Sequence, residues 1–482
     1  MTETTKSTGT PSDADTEHGD TDDPRTSFRV DTLPRGISSG FTDYVARIRG
    51  GDPGGLPAIV GLLLLGVLFW ATTPLFLTKA NIGNLMSQAS FIALIALGLV
   101  FVLLLGDIDL SAGAAGGVAA GFAAQALKSG DLHKAVGGSV FTGLILGMAL
   151  CAALALWKRL WVPAAICVIG AILALTGADE DHVWLAFALA IAIGVSIGVL
   201  NGVLVTLLGI PSFIVTLALF LAWEGVTLDA VKATSIGTTN YKPWFALTHK
   251  NMSPALGWVF FIVLVGSYAV VTTLRQRLRA RAGVSYDRSD LIALRVGSLA
   301  IGGAVAVWWL NQNRNPNPGP AIKGIPWAAS IPIAFMVVFT IALSRTSWGR
   351  HLYAIGGSRD AASRAGIPVD RVKIGAFVLC SAMAAVGGLF LADYSGGAQP
   401  ALGQGNTQLY AVAAAVIGGT SLFGGRGKPR DAVIGAVVIA TIPNGIQLHP
   451  GLPISVVQEI TGVVLLVAAS VDAISRRRSR KS

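Results

Sequence analysis

Long apolar stretches recur along most of this chain, and they decide which folds it can adopt. Each runs for about 17–25 residues, enough for a helix to cross roughly 30 Å of hydrocarbon. Charged residues make up only 13% of the 482 residues, against about 25% in a soluble domain. Lipid offers the backbone no hydrogen-bonding partners, so only helices and closed barrels can span it. The sequence therefore predicts an all-α, polytopic helical membrane protein.

We predict about 10–14 transmembrane helices, some broken or re-entrant, in a permease-sized membrane domain over residues 51–472. Residues 1–50 are rich in Thr, Ser, Asp and Gly, which predicts a disordered cytoplasmic tail. Residues 473–482 form a basic tail, which we also place in the cytoplasm. The fourteen candidate spans are 57–76, 86–106, 111–127, 136–156, 160–176, 183–208, 212–231, 255–274, 290–310, 326–344, 374–394, 407–422, 431–448 and 454–471.

The positions of arginine and lysine predict the orientation of these spans. A net charge of +10 would also fit a nucleic-acid partner. The basic residues, however, cluster in short loops between spans, which is the positive-inside pattern. With the N-terminus inside, the basic loops 275–288, 345–373 and 426–430 fall in the cytoplasm, and the polar loop 311–320 falls outside. We therefore expect a multi-pass protein of the cell membrane with both termini cytoplasmic and no nucleic-acid partner.

The most polar of these loops, residues 345–373, contains the sequence GGSRDAASRAG at 356–366. Ser358 is a suitable N-cap, Asp360 complements the dipole in the first turn, and Gly366 can end the helix in a left-handed conformation. A helix of about two turns is marginal in water, so it needs a surface to dock against. It could be a connector on the bilayer, or it could dock on a partner. The residues proposed to make such contacts are Ser358, Arg359, Asp360, Ala361, Ala362, Arg364 and Gly366.

The pattern D-A-A-x-x-x-G in this loop resembles the E-A-A-x-x-x-G loop of ABC importer permeases. Further blocks are similar to the ribose and xylose type of carbohydrate-uptake permease, in the family's order along the chain. The arginine ladder RQRLRARAG (275–283) and the added spans that flank WWLNQNRNPNPGP (308–320) favour its xylose-type branch. The blocks are FLTKANIGNLMSQAS (76–90), GDIDLSAG (106–113), IPSFIVTLA (210–218), AVIGGTSLFGGRG (415–427) and IPNGIQL (442–448).

This resemblance implies the membrane-spanning subunit of an ATP-driven importer for a monosaccharide, xylose or a related pentose. It also implies four kinds of partner: a separate ATPase at the cytoplasmic face, an extracytoplasmic sugar-binding protein, a second copy of the permease and the lipid bilayer. Two departures from the family pattern affect specificity. Gln408, Leu409 and Tyr410 stand where the family commonly has E-L-D, and Asp107 stands where ribose-type members usually have a small residue.

Polar side chains within spans need a reason, because a charge at a helix centre costs about 2.5–3.5 kcal/mol on insertion scales. Asp109 could organise the start of a helix, or it could line a broken helix on the sugar pathway. The amides Asn201, Asn444 and Gln399 could contact sugar hydroxyls or hold helices together. Glu224 could face the outer interface or bond a neighbouring helix. The candidate pathway residues are Asp107, Asp109, Ser111, Asn201, Gln399, Thr420, Ser421 and Asn444.

Two Gly-rich polar segments, 110–121 and 418–425, are candidates for equivalent points of an internal repeat. The charge distribution places both at the inner side. An inverted repeat would place them at opposite sides, so one of the two assumptions must fail.

The chain lacks the motifs of an enzyme. FGGRGKP (423–429) has Leu422 at the first glycine position of a phosphate loop and Pro429 in place of the hydroxyl, so ATP should be used by a partner subunit. We expect no metal and no cofactor in this chain, and three cysteines without paired spacing indicate neither. The open alternatives are an ABC permease for a nucleoside, a branched-chain amino acid or an autoinducer, and an ion-coupled secondary transporter.

Overall fold

The computed structural model describes residues 42, 45, 46, 54–177, 182–284, 286–315, 317–449, 453, 455–463, 466 and 470. The predicted tails 1–50 and 473–482 lie outside the described residues, except for positions 42, 45 and 46. The helices are α1 Leu56–Thr72, α2 Lys79–Leu104, α3 Ala112–Ser129, α4 Leu132–Val136, α5 Gly138–Trp157, α6 Trp161–Thr176, α7 Val183–Leu208, α8 Ser212–Val231, α9 Lys242–His249, α10 Pro254–Arg281, α11 Ser289–Leu310, α12 Trp327–Arg345, α13 Ser347–Gly357, α14 Arg359–Arg364, α15 Val369–Tyr394, α16 Asn406–Ile417 and α17 Pro429–Gln447. Two short strands, β1 Ile236–Gly237 and β2 Gly397–Ala398, pair antiparallel.

Within the described residues, eight helices are long and apolar enough to cross a bilayer: α2, α5, α7, α8, α10, α11, α12 and α15. Helices α1, α6 and α16 are apolar but shorter. The predicted class of polytopic helical membrane protein is confirmed.

The centre of the bundle is α15, which packs along α7 on one side and α2 on the other. Gly194, Gly198 and Gly202 of α7 lie at every fourth position and face the α15 backbone. A Cβ at Gly198, for example, would stand 2.5 Å from the Cα of Val378. Small residues at this spacing let two membrane helices approach closely, which is why α7 and α15 form one tight pair.

The connections between helices fall at two ends of the bundle. We call the end that carries residues 345–373 the coupling-loop end and the opposite one the far end. At the coupling-loop end, Lys158 lies 3.5 Å from Asp370, and the Tyr353 hydroxyl donates to the Gly427 carbonyl at 2.7 Å. These contacts join residues 345–373 to the turn at Lys158 and to the predicted cytoplasmic loop 426–430. Which side of a membrane this end faces stays a prediction.

One predicted span is shorter than expected. Residues 407–422 were expected to cross the bilayer, but α16 has 12 residues, or about 18 Å at 1.5 Å per residue. It ends because Gly418 and the following residues turn into the 418–428 loop, where Thr420 N–H bonds back to Ala415. Helix α16 is therefore a half-span.

The coupling loop itself folds as two short helices, α13 and α14. The sequence predicted the second: the Ser358 hydroxyl accepts from Ala361 N–H at 3.3 Å, and Gly366 has a φ of +80°. Helix α13, which Thr346 caps, was not predicted. The proposed contact role of Ala362 needs correction, because its side chain is buried in the chain's own core and cannot offer a docking face.

Candidate functional site

Two non-helical segments, one before α3 and one before α16, meet inside the bundle. After α2 ends at the coupling-loop end, residues 105–111 turn back and α3 begins at Ala112. After α15 ends at the far end, residues 399–405 turn back and α16 begins at Asn406. We call residues 105–113 and 399–408 together the crossing. Two chain segments that enter from opposite ends and meet as half-helices are the arrangement that transporters use to line a substrate site.

Backbone touches backbone at the crossing. A Cβ on Gly403 would collide with the carbonyl oxygen of Gly113, and one on Gly113 would come within 2.5 Å of the Gly403 carbonyl oxygen. Gly403 also has a φ of +77°, which only glycine adopts readily. Glycine at both positions is what permits the two half-helices to meet.

A buried polar network organises the start of α3. One carboxylate oxygen of Asp109 accepts from Ser111 N–H at 2.8 Å and from the Ser111 hydroxyl at 2.7 Å. Asn201 of α7 donates its amide to the same hydroxyl at 2.8 Å. Three of the predicted pathway residues are therefore in one network. Asp109 is fully buried, so it orders this turn and does not line an open passage in this conformation.

Gln408 joins the two half-helices. Its amide oxygen accepts from Gly113 N–H at 2.6 Å, and its amide nitrogen donates to the Asp109 carbonyl at 2.8 Å. Both partners belong to the α3 side, while Gln408 is on α16. An ionised glutamate could accept the first bond but has no N–H for the second. Gln408 replaces the acidic residue of the family pattern, and its amide satisfies both the Gly113 N–H and the Asp109 carbonyl.

Helix α8 holds the loop that precedes α3. The Ser212 hydroxyl accepts from Ile108 N–H at 3.1 Å, and the Thr216 hydroxyl accepts from Leu110 N–H at 3.0 Å. Ser212 and Thr216 lie four residues apart, on one face of the helix. Sequence reasoning missed both as site residues, although they stand in the IPSFIVTLA block that carries the family resemblance.

An ion pair stands at the coupling-loop side of the crossing. The Lys373 ammonium on α15 lies 2.9 Å from the Asp107 carboxylate, and the side chains are only 11% and 14% exposed. Sequence reasoning proposed Asp107 but not its partner.

Of the other four predicted pathway residues, three lie outside the crossing and Gln399 lies at its outer edge. Thr420 and Ser421 form the buried turn at the coupling-loop end, where Ser421 N–H bonds the Arg426 carbonyl at 2.9 Å. Asn444 exchanges two amide bonds with Asn81, at 2.8 and 3.0 Å, and so holds α17 to α2. Gln399 is exposed at the far end and bonds the Ser395 carbonyl.

The proposed repeat equivalence of 110–121 and 418–425 is wrong. Gly425 N–H bonds the Leu104 carbonyl at 2.9 Å, so the loop that follows α16 and the end of α2 share the coupling-loop end. Inverted-repeat partners would enter from opposite ends. The pair that does so is 105–113 and 399–408.

The coupling loop offers a second candidate surface. Ser358, Arg359, Asp360, Ala361, Arg364 and Gly366 are all exposed at the coupling-loop end. They carry two guanidinium groups and one carboxylate beside an alanine that leaves the backbone approachable.

At the far end, α9 covers the end of α15. The Asp393 carboxylate accepts from Thr248 N–H and from the Thr248 hydroxyl, both at 2.8 Å, and the Trp244 indole donates to the Leu389 carbonyl at 2.9 Å. His249 lies 3.5 Å from Asp393. Its hydrogen bond to that carboxylate raises the pKa of His249 above the usual value for histidine.

The crossing offers hydrogen-bond acceptors. Asp109 Oδ2 and Asn201 Oδ1 are buried acceptors without a hydrogen-bond partner among the described residues. In the same part of the chain, no group of three or more His, Cys, Asp or Glu side chains could hold a metal ion. Acceptors of this kind suit hydroxyl groups once the site opens.

Comparison with known proteins identifies the family of this chain. Residues 81–469 match the family model described as branched-chain amino acid transport system / permease component. The xylose transport system permease protein XylH of Escherichia coli (strain K12) is 29% identical over 426 residues, which is 88% of this chain and 92% of that protein. XylH of Haemophilus influenzae is 30% identical over 416 residues, 85% and 92% of the two chains.

The ribose import permease protein RbsC of Bacillus subtilis (strain 168) is 30% identical over 420 residues, covering 86% of this chain and 92% of its own. No solved structure matches the chain. The matched proteins are transport permeases, which confirms both the predicted resemblance to sugar permeases of ABC importers and the prediction that the chain is not an enzyme. Because the family model covers most of the sequence, this protein belongs to the permease family of branched-chain amino acid transport system / permease component proteins.

Proposed function

We propose that this chain is the membrane-spanning subunit of an ATP-driven importer and that it carries a monosaccharide, xylose or a related pentose. The observation that carries the proposal is the continuity between coupling loop and crossing. Helix α14 is exposed at one end of the bundle, and it leads through a short turn into α15, whose other end leads into the crossing. Such a path lets force applied outside the membrane reach the substrate route.

A separate ATPase would bind the exposed residues of α14 at the cytoplasmic face. A helix of six residues has little stability by itself, and its polar face has no partner of its own in the described part of the chain. ATP would be used by that partner, and this chain would need no cofactor. A sugar-binding protein would deliver substrate at the far end, and a second copy of the permease would complete the pathway.

The nature of the crossing supports a polar, hydroxylated substrate. The polar side chains gathered there are the Asp109 carboxylate, the Asn201 and Gln408 amides and the Ser111 hydroxyl. The relatives that cover most of the chain are named for xylose and ribose, which favours a pentose over the amino acid in the family's description.

Orientation is part of the proposal, with the coupling-loop end and both termini in the cytoplasm. A cysteine at exposed Arg279 should react only with a reagent applied to the cytoplasmic face, and one at Asn315 only from outside. The opposite pattern at either position would reverse the assignment.

The function is tested by uptake of radiolabelled xylose in cells that express this chain with the ATPase and the binding protein encoded beside it. Uptake should require all three chains, should depend on ATP and should survive a protonophore. Loss of uptake with the protonophore alone would indicate an ion-coupled transporter. Uptake of leucine in place of xylose would indicate an amino-acid permease.

A further inference from the structure

The connection from the coupling helix to α15 is short and internally bonded. Ile367 N–H donates to the Ala362 carbonyl at 3.1 Å, and Val369 N–H donates to the Ile367 carbonyl at 2.8 Å. Ala362 itself is packed in the core. No long, unbonded stretch separates α14 from α15, so a displacement of α14 has to move the first turns of α15.

The first turns of α15 carry two charged contacts. Lys373 pairs with Asp107 at 2.9 Å, and Asp370 pairs with Lys158 at 3.5 Å. The first pair is largely buried, whereas the Asp370 side chain is 49% exposed. A buried ion pair is costly to break, because the remaining charge has no water to compensate it.

The two contacts lead to different parts of the molecule. Lys158 follows α5 and belongs to the α5–α6 hairpin, which lies beside the crossing without entering it. Asp107 is two residues from Asp109, which orders the start of α3 and receives the Gln408 amide from α16 through its carbonyl. Of these two ion pairs, Lys373–Asp107 is the one that reaches the loop leading into α3.

We propose that Lys373 and Asp107 are positioning residues that couple the movement of α14 to the opening of the crossing. When α14 shifts with the ATPase, α15 would pull the 105–111 loop through this ion pair. Ser212 and Thr216 of α8 bond the same loop, and Gln408 of α16 bonds its Asp109 carbonyl, so the loop would move between α15 and α8 and separate Asp109 from Gln408. This inference rests on the proposed function, since it assigns a mechanism to the same importer.

The experiment uses the complete importer, reconstituted in liposomes with its ATPase and binding protein, and measures xylose transported per ATP hydrolysed. Asp107→Asn and Lys373→Gln should each lower this ratio by about 2- to 30-fold, the range seen for mutations along coupled networks. ATP hydrolysis and co-purification of the ATPase should stay at wild-type levels, because α14 is untouched. The double variant D107K/K373D should recover most of the ratio.

The matched control is the neighbouring pair on the same helix. Lys158→Gln and Asp370→Asn should leave transport per ATP unchanged, although they remove an ion pair from the same two turns. Equal losses in both pairs would mean that charge at the base of α15 matters only for stability, and would overturn the proposal. So would an unchanged ratio in Asp107→Asn.

If the double variant D107K/K373D does not fold, a conservative variant takes its place in the test. Asp107→Glu keeps the charge, so it should retain more transport per ATP than Asp107→Asn when equal amounts of folded, reconstituted importer are compared. Equal ratios for these two variants would contradict a role for the ion pair. If the wild-type chain fails to bind an ATPase or to move xylose, the proposed function fails. If the wild type transports and the variants match it, only the coupling role fails.

Discussion

The two half-helices that meet at the crossing are built in different ways. The loop that leads into α3 is held by side chains: Ser212 and Thr216 bond its backbone, and Lys373 pairs with Asp107. The loop that leads into α16 is held mainly by backbone, through the β1–β2 pairing and through turns at Gly403 and Gly405, which have φ values of +77° and +59°. A charged contact near it, His249 with Asp393, lies on α9 and α15 and not on the loop.

This difference assigns a role to each half. The antiparallel pairing of β1 with β2 restrains the loop that leads into α16, so this side suits a fixed wall. A loop held by an ion pair and two hydroxyls can exchange these partners for others, so it suits a gate. We therefore expect the α3 side to move during transport and the α16 side to stay.

The largest effect should come from the fixed wall. Gly403→Ala places a Cβ against the Gly113 carbonyl oxygen in a left-handed backbone conformation. Overpacking of a tight contact costs about 1–3 kcal/mol, and the strained φ adds roughly 1–2 kcal/mol. The melting temperature of the purified chain should drop markedly. Gly396→Ala tests the conformation alone, because Gly396 also has a positive φ but no atom near a new Cβ. Equal losses in the two variants would show that the close approach is unimportant.

A comparable effect is expected where the two halves are joined. Gln408→Leu leaves Gly113 N–H and the Asp109 carbonyl buried without partners, at about 1–3 kcal/mol for each unsatisfied group. Gln408→Glu should also destabilise, because it keeps the bond to Gly113 but buries a carboxylate against the Asp109 carbonyl oxygen. Gln399→Leu, on an exposed side chain of the same loop region, should be close to neutral. Thermal unfolding measures all three, and a neutral Gln408→Leu would contradict the bridge.

Some features of the site could be predicted from the sequence. Helix positions followed from apolar runs, because lipid forces the chain to satisfy its backbone within each span. Asp109, Ser111 and Asn201 stood out because polar groups among apolar ones need a reason. Gln408 could be noticed only as a departure from a family pattern, since its two partners lie 295 and 299 residues away in the chain.

Other features could not be found locally. The burial of Ala362 depends on how α14 tilts onto the core, and alanine fits either a buried or an exposed face. The span predicted at 407–422 ended too late, because the Gly-rich polar segment after Gly418 forms a turn that closes the helix, whereas sequence reasoning included its first residues in the span. In the sequence, Lys373 is one of several basic residues in a predicted cytoplasmic loop. Only the structure shows that it pairs with Asp107.

The smallest predicted effect concerns the far end. The hydrogen bond from His249 to Asp393 raises the pKa of His249, so the protonated form is favoured in the folded chain. This contribution is fully present below the unfolded-state pKa of about 6.5 and is lost as the pH rises through the higher folded-state pKa. Because His249 is partly exposed, it amounts to at most about 1 kcal/mol. His249→Gln should flatten the dependence of the melting temperature on pH above about 6.5, and His133→Gln should not. An unchanged slope in His249→Gln would exclude the contact with Asp393 as its source.

The central claim is that α14 binds an ATPase, and Ala361 gives its most direct test. Ala361 is exposed, unlike Ala362, so Ala361→Trp should not disturb the fold. It should block the close approach of a partner. The control is Ala282→Trp, at an exposed alanine in another basic loop of the same end.

The measurement is ATPase co-purification together with xylose uptake in the two variants. The account predicts loss of both for Ala361→Trp, wild-type values for Ala282→Trp, and the same melting temperature for the two isolated chains. Wild-type binding and uptake in Ala361→Trp would contradict it, and α14 would then be a connector on the membrane surface.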